Sequence, residues 1–131
     1  MPIRSLIATN LRVAGSVALV AAVLAVASGP AVAADSERGK TLYAACAACH
    51  SEKPDALGPD LKGVFGRKAA GRDDFRYSAP MRRANLIWDE ANLKAYILDP
   101  QATVKGNRMP FGGLREARDV DDIIAYLKTL N

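Results

Sequence analysis

The sequence predicts a small all-α domain, three to four helices joined by long loops and preceded by a leader that is removed. Three observations carry that expectation. Beyond residue 34, no segment alternates polar and apolar residues over the length of a strand. The final stretch sets Val120, Ile123, Ile124, Leu127 and Leu130 on one face at helical spacing. Between the periodic stretches Gly and Pro recur at short intervals, which is the chemistry of loops rather than of a sheet.

The first element is residues 1–34. Arg4 and Arg12 provide a basic start, and Val13 to Ser28 is a run of 16 residues drawn only from Ala, Val, Leu, Gly and Ser. Gly29-Pro30 breaks a helix, and Ala31-Val32-Ala33 supplies the small residues that a signal peptidase reads. A run of 16 residues falls short of the roughly 20 needed to span a bilayer. A secretory signal peptide is therefore expected over 1–34, cut after Ala33 or Ala34, with the domain in 35–131. An export signal of this kind places the domain in a bacterial periplasm or an equivalent compartment.

The next elements follow from caps and breakers. Ser36 to Cys49 reads as a helix with Ser36 as its N-cap and with Leu42, Tyr43 and Cys46 along one face. From Ser51 to Arg76 the pattern gives way to turns such as Leu57-Gly58-Pro59-Asp60, Phe65-Gly66 and Ala70-Gly71. A short helix is expected over Ser78 to Ala84. Asp89 caps a further helix that carries Leu93, Tyr96 and Ile97 and stops at Asp99-Pro100. Gln101 to Gly113 reads as a second irregular stretch. In the last helix Asp119, Asp121 and Asp122 lie at the start and Lys128 near the end, which suits the helix dipole.

Composition removes several function classes. The chain has 18 Lys and Arg against 14 Asp and Glu, and two of its arginines lie in the leader, so 35–131 holds 16 against 14. A net charge of +2, with no basic stripe interleaved with aromatics, argues against nucleic acid as a partner. Two cysteines are too few for a disulfide scaffold. A domain of 97 residues with three Phe, four Tyr and one Trp builds a modest core, and two long loops do not help it. Some added staple is required.

Cys46-Ala47-Ala48-Cys49-His50 identifies it. Two thiols three residues apart reach the vinyl groups on one edge of a haem and form thioethers, and the adjacent histidine then meets the iron from one face. The expected cofactor is one haem c, attached covalently through Cys46 and Cys49. Three other readings are weaker. A Cys46–Cys49 disulfide closes too short a loop to stabilise much, and a thioredoxin-like site wants a βαβ setting. Structural zinc needs four ligands where two Cys and the sole His give three. An inert pair leaves the position of the histidine unexplained. For the sixth iron ligand the residues offer Met81, Met109, a lysine or an open site. Met109 is favoured, because Lys105 to Gly113 is a loop able to present a thioether, whereas Met81 on a short helix reads as apolar packing.

The chain resembles the class I cytochromes c, the mitochondrial type and its short bacterial periplasmic relatives, over nearly all of 36–130. Beyond the attachment motif, the resemblance rests on Leu57 to Arg67, Tyr77 to Trp88, Asn92 to Pro100 and the loop Met109-Pro110-Phe111. It implies the small class I fold, three to four helices wrapped around one covalent haem, with His50 and Met109 as the metal ligands. It further implies that the Pro59 carbonyl accepts the hydrogen bond of the far ring nitrogen of His50. Arg67, Tyr77 and Trp88 would hold a buried propionate, Tyr96 would approach the Met109 sulfur, and Phe111 would cover the exposed haem edge. Gly39 and Tyr43 of the first helix would pair with Ile123 and Tyr126 of the last.

Departures from the family pattern carry their own expectations. The stretch from His50 to Pro59 is short, Asn107 stands where a hydroxyl is commoner, and Pro80-Met81 replaces a more polar pair. The family's ring of lysines is depleted: Ala45, Ala56, Gln101 and Glu116 occupy ring positions, and only Arg108 and Arg115 keep the charge. Docking on a partner is then expected to depend weakly on ionic strength.

The resemblance implies a soluble, monomeric periplasmic carrier of one electron at a time. Its partners would be respiratory or photosynthetic redox proteins, such as membrane cytochrome complexes, oxidases, reductases or dehydrogenases, met transiently at the haem edge. No separate nucleophile, acid pair or phosphate loop points to an enzyme. Two rivals are a haem enzyme or gas-binding protein with a labile sixth ligand, and a dedicated subunit of one periplasmic dehydrogenase.

Overall fold

Helix α1 (Ser36–Ala47) begins one residue earlier in its capping than Ser36 suggests. Asp35 is the N-cap: its backbone is extended and its carboxylate accepts the N–H groups of Glu37 and Arg38 at 3.0 and 3.1 Å. Either side chain has a capping oxygen, but the carboxylate also answers the positive end of the helix dipole. The computed structural model that shows this describes residues 32–130. Residues 1–31, which hold nearly all of the expected leader, lie outside the described residues.

α1 also ends sooner than expected, at Ala47 rather than Cys49. The amides of Cys49 and His50 both donate to the Cys46 carbonyl, at 3.1 and 2.9 Å, which tightens the chain into a closing turn. α2 (Ala79–Arg83) is capped by the Ser78 hydroxyl, and Pro80 sits in its first turn, where a missing N–H costs nothing. α3 (Glu90–Leu98) starts at the Asp89 cap, whose carboxylate accepts from the Asn92 amide at 2.8 Å.

Asp99-Pro100 does stop α3, as expected, but it also starts another helix inside the stretch expected to be irregular. In α4 (Pro100–Thr103) Asp99 is the N-cap, accepting from Ala102 N–H at 2.9 Å, with Pro100 at the first position. A proline that ends one helix is well suited to begin the next, because its fixed φ is helical and its absent donor is not needed there. α5 (Ala117–Leu127) closes the chain. The described residues thus contain five helical segments where three or four were expected, the surplus being this single turn. They contain no strand, only a bridge between Lys68 and Ile87 flanked by hydrogen bonds from Gly66 to Trp88, Trp88 to Arg67 and Ala69 to Leu86.

The core forms where α1 and α3 meet α5. Val120, Ile123, Ile124 and Leu127 are all buried, joined by Leu93 and Tyr96 of α3, Trp88, Val104, Met81, Val64 and Ala69. Each such aliphatic side chain contributes about 1.5–3 kcal/mol when fully buried. α1 lies against α5 so closely that a Cβ on Gly39 would stand 1.9 Å from the Asp122 carbonyl oxygen and 3.1 Å from the Ile123 nitrogen. One turn on, the rings of Tyr43 and Tyr126 meet at 5.1 Å. Gly113, at φ 87°, brings the second loop against α3: its Cβ would lie 2.0 Å from the Leu98 carbonyl, and the next amide, Leu114, donates to Ile97 at 2.9 Å. No described helix is long and apolar enough to cross a membrane.

Candidate haem site

The end of α1 presents the attachment residues. Cys46 and Cys49 are unbonded to each other, half-buried, and lie within the turn that the Cys46 carbonyl closes. Burial pushes the Cys46 thiol up from its ordinary range, and the neighbouring Cys49 adds to the effect. A redox-active or zinc-binding cysteine wants the opposite shift, toward thiolate, so the local electrostatics do not favour those uses. Among the described residues no group of three or more His, Cys, Asp or Glu is arranged to hold a metal ion.

His50 is held from two sides. Its Nδ1 lies 2.6 Å from the Pro59 carbonyl, which can only accept, so Nδ1 carries a proton, and in the neutral ring the lone pair is then on Nε2. The ring also rests on bare backbone: a Cβ on Gly58 would stand 2.6 Å from Cε1 and 2.7 Å from Nδ1. Gly58 is in turn fixed by its amide, which donates to the Cys49 carbonyl at 2.9 Å. The segment Gly58-Pro59 and the motif therefore fold onto each other, and the short connection from His50 to Pro59 suffices for it.

Arg67, Tyr77 and Trp88 are brought to one region. The Arg67 guanidinium donates to the carbonyls of Lys62 and Asp60 at 2.8 and 3.2 Å, and its own carbonyl accepts the Trp88 amide at 2.8 Å. Burial pushes the Tyr77 hydroxyl up, while the charges of Arg67 and Arg72 pull it down, so both guanidinium groups act on it. Trp88 is buried and meets Tyr96 at 5.0 Å between ring centroids. Burial pushes the Tyr96 hydroxyl up to about 12. Phe111 is half-buried.

The two methionines part company. Met81 is 8% exposed and belongs to the core. Met109 is half-buried at the edge of that core, in a loop held from behind. Asn107 does the holding: its Nδ2 donates to the carbonyls of Pro100 and Val104 at 2.8 and 2.9 Å, and its Oδ1 accepts the Met109 amide at 2.9 Å. Gln101 adds a second strap, donating to the Asn107 carbonyl and accepting from the Gly106 amide, each at 3.1 Å. Sequence reasoning named both residues but missed this bracing of the loop. Asn107 had a readable signal, since Asn two residues before a fixed amide is an Asx turn. Gln101 had none, because its partners depend on α4.

The residues fit a covalent haem. Two unpaired thiols share one turn, an imidazole is held by one nitrogen with the other free, and a thioether sits in a braced loop. Leu61, Leu86, Leu98 and Leu114 pack on the core while remaining part-exposed, which is the apolar lining a flat macrocycle requires.

Comparison with known proteins gives a consistent result. The sequence model of the family described as Cytochrome c matches residues 36–131. The chain is 44% identical over 99 residues to cytochrome c2 iso-2 of Magnetospirillum molischianum, covering 74% of this chain and 99% of that protein. It is 38% identical over 112 residues to cytochrome c2 of Blastochloris viridis, covering 83% and 88%. Among solved structures, cytochrome cH from Methylobacterium extorquens superposes with a TM-score of 0.69 at 44% identity, covering 72% of this chain and 98% of that one.

Proposed function

The chain belongs to the cytochrome c family and carries one haem c bound through Cys46 and Cys49, and on that premise we propose that it is a periplasmic carrier of single electrons with His50 and Met109 as axial ligands. The observation that carries the reading is the fixing of His50. With Nδ1 given to Pro59 and the ring set on Gly58, Nε2 is the only nitrogen left to bind iron, and the hydrogen bond makes it a stronger donor.

When bound, the haem supplies the one-electron couple of its iron. The chain's own residues set the conditions. The thioether of Met109 would favour the ferrous state and so raise the potential. Asn107 and Gln101 brace its loop, so the ligand is presented without reordering the backbone. Arg67, with its persistent charge and forked donors, suits a propionate, and the buried rings of Trp88 and Tyr96 keep water from that side. His50 and Met109 together would occupy both axial positions of the haem iron, which would leave no coordination site for a substrate and suits a carrier. Export follows from the N-terminal pattern of Arg4, Arg12, the apolar run and Ala31-Val32-Ala33. Ring positions Ala45, Gln101 and Glu116 are exposed and lack positive charge, which leaves Arg108 and Arg115 as the charged ring positions, so partner docking at the haem edge is weakly steered.

The absorption spectrum of the purified holoprotein tests the reading. A carrier shows the weak red charge-transfer band of a Met–iron bond in the ferric state and does not take up carbon monoxide when reduced. Absence of the band with ready carbon monoxide binding would make it a gas-binding or catalytic haem protein instead.

A further inference from the structure

Asp122 is a charged residue on α5 with no solvent exposure, and one arginine alone makes an ion pair with it. Its Oδ2 accepts from Nη1 of Arg38, whose other terminal nitrogen serves Asp119. Its Oδ1 accepts from the backbone nitrogen of Asp35 at 2.7 Å. One guanidinium is thus divided between two carboxylates, and the second oxygen of the buried one meets only a neutral amide. Buried carboxylates are ordinarily matched by cations.

That amide nitrogen lies at a boundary in the chain. None of the hydrogen bonds among the described residues involves Val32, Ala33 or Ala34, and all three are exposed. From Asp35 onward everything is engaged: its nitrogen with Asp122, its carbonyl with the Gly39 amide at 2.9 Å, and its carboxylate with the first turn of α1. The same boundary ends the small-residue stretch Ala31-Val32-Ala33-Ala34.

We propose that the leader is cut at the Ala34–Asp35 bond and that the ammonium freed on Asp35 pairs with the buried carboxylate of Asp122. The inference rests on the exported reading above. A membrane-bound signal peptidase adds one water across the amide: the C–N bond breaks, Ala34 leaves with the leader as a carboxylate, and the Asp35 nitrogen becomes an amine that is protonated near neutral pH. The nitrogen keeps its place against Oδ1 and gains a unit of charge, so the second oxygen of Asp122 then meets a cation of its own, in addition to Arg38 and the charge of nearby Arg118. Cutting one residue earlier would leave the amide of Asp35 neutral and put the charge on exposed Ala34. The groups around the new terminus are the Asp35 carboxylate, Glu37 and Arg38 on α1, and Arg118, Asp119, Asp122 and Asp121 on α5, the last already paired with Lys94 of α3.

Two measurements test this on the holoprotein secreted from the full-length chain. Intact mass gives the first residue, expected to be Asp35. A start at Ala34 or elsewhere overturns the assignment, and retention of Met1 would overturn the exported reading with it. The second is the rate at which the terminal amine is acylated near pH 7, since only the unprotonated amine reacts. Pairing that raises its pKa by one unit slows the reaction about tenfold relative to Asp122→Asn. A form beginning at Ala34 provides the same comparison without altering Asp122, and its amine should react about tenfold faster than that of Asp35. Equal rates in these comparisons would show that no ion pair forms.

Discussion

The carboxamide of Asn107 binds the backbone of Met109: Oδ1 accepts the Met109 amide at 2.9 Å while Nδ2 is tied to Pro100 and Val104. Three hydrogen bonds from one buried side chain thus connect the loop of the proposed iron ligand to α4. Asn107→Ala removes them together, leaving the Met109 amide without this acceptor and the Pro100 and Val104 carbonyls with only their backbone donors, so a loss of about 1–3 kcal/mol in denaturant unfolding is expected. The ferrous variant should also bind carbon monoxide more readily than the parent. Asn107→Asp, which keeps the acceptor and loses the donors, should retain more of the red band than Asn107→Ala.

Met109 and Met81 separate ligation from packing. Met109→Ala should lower the reduction potential and open the sixth position, with a modest change in stability. Met81→Ala should leave potential and spectrum nearly unchanged while costing about 2–5 kcal/mol, because Met81 is buried in the core. Potentiometry and thermal unfolding of the two variants, run side by side, check both halves. The opposite pattern would exchange their roles.

Gly58→Ala places a methyl 2.6 Å from Cε1 of His50, in contact with a ring that cannot retreat without leaving Pro59. The imidazole then loses its hydrogen bond and becomes a weaker donor, which favours ferrous iron. An upward shift of the potential is expected. An unchanged potential would mean that the bond to Pro59 does not tune the site.

Gly39→Ala addresses the fold rather than the haem. The added methyl meets the Asp122 carbonyl at 1.9 Å, and the atom it meets is backbone, so α1 must move off α5. Overpacking costs about 1–3 kcal/mol, and a contact with backbone belongs at the upper end. The denaturant midpoint should fall accordingly.

Acid unfolding should report on Asp122. Its carboxyl is held below the ordinary carboxylate range, first by the Asp35 backbone N–H and then by Arg38. A depressed pKa in the folded state contributes stability that is complete above the unfolded value of about 3.9 and is lost as pH falls through the folded value. Asp122→Asn should therefore be less stable than the parent near neutral pH, with the difference narrowing as pH falls below about 4. A constant difference across that range would remove the ionised carboxylate from the explanation.

Much of the molecule was legible in the sequence, and the misses share a cause. The attachment motif, the Asp89 cap and the apolar face of α5 are set by spacings of a few residues, which the covalent chain itself enforces. Asp35 displaced Ser36 as the first cap because both have a suitable oxygen, and the choice depended on which residue the rest of the fold holds extended. α4 was missed because a proline that ends a helix and one that begins a helix look the same in one dimension.

The sequence by itself determined the haem chemistry and every helix but α4, since a thiol, a thiol and an imidazole within five residues need no tertiary contact to be neighbours. Only the tertiary structure decided what Asp122 does. In the sequence it is one of three acids at the start of a helix, suited to the dipole; in the fold it is buried against a backbone nitrogen 87 residues away. Burial and partner are consequences of packing α1 on α5, and no local pattern encodes which of three carboxylates that packing turns inward.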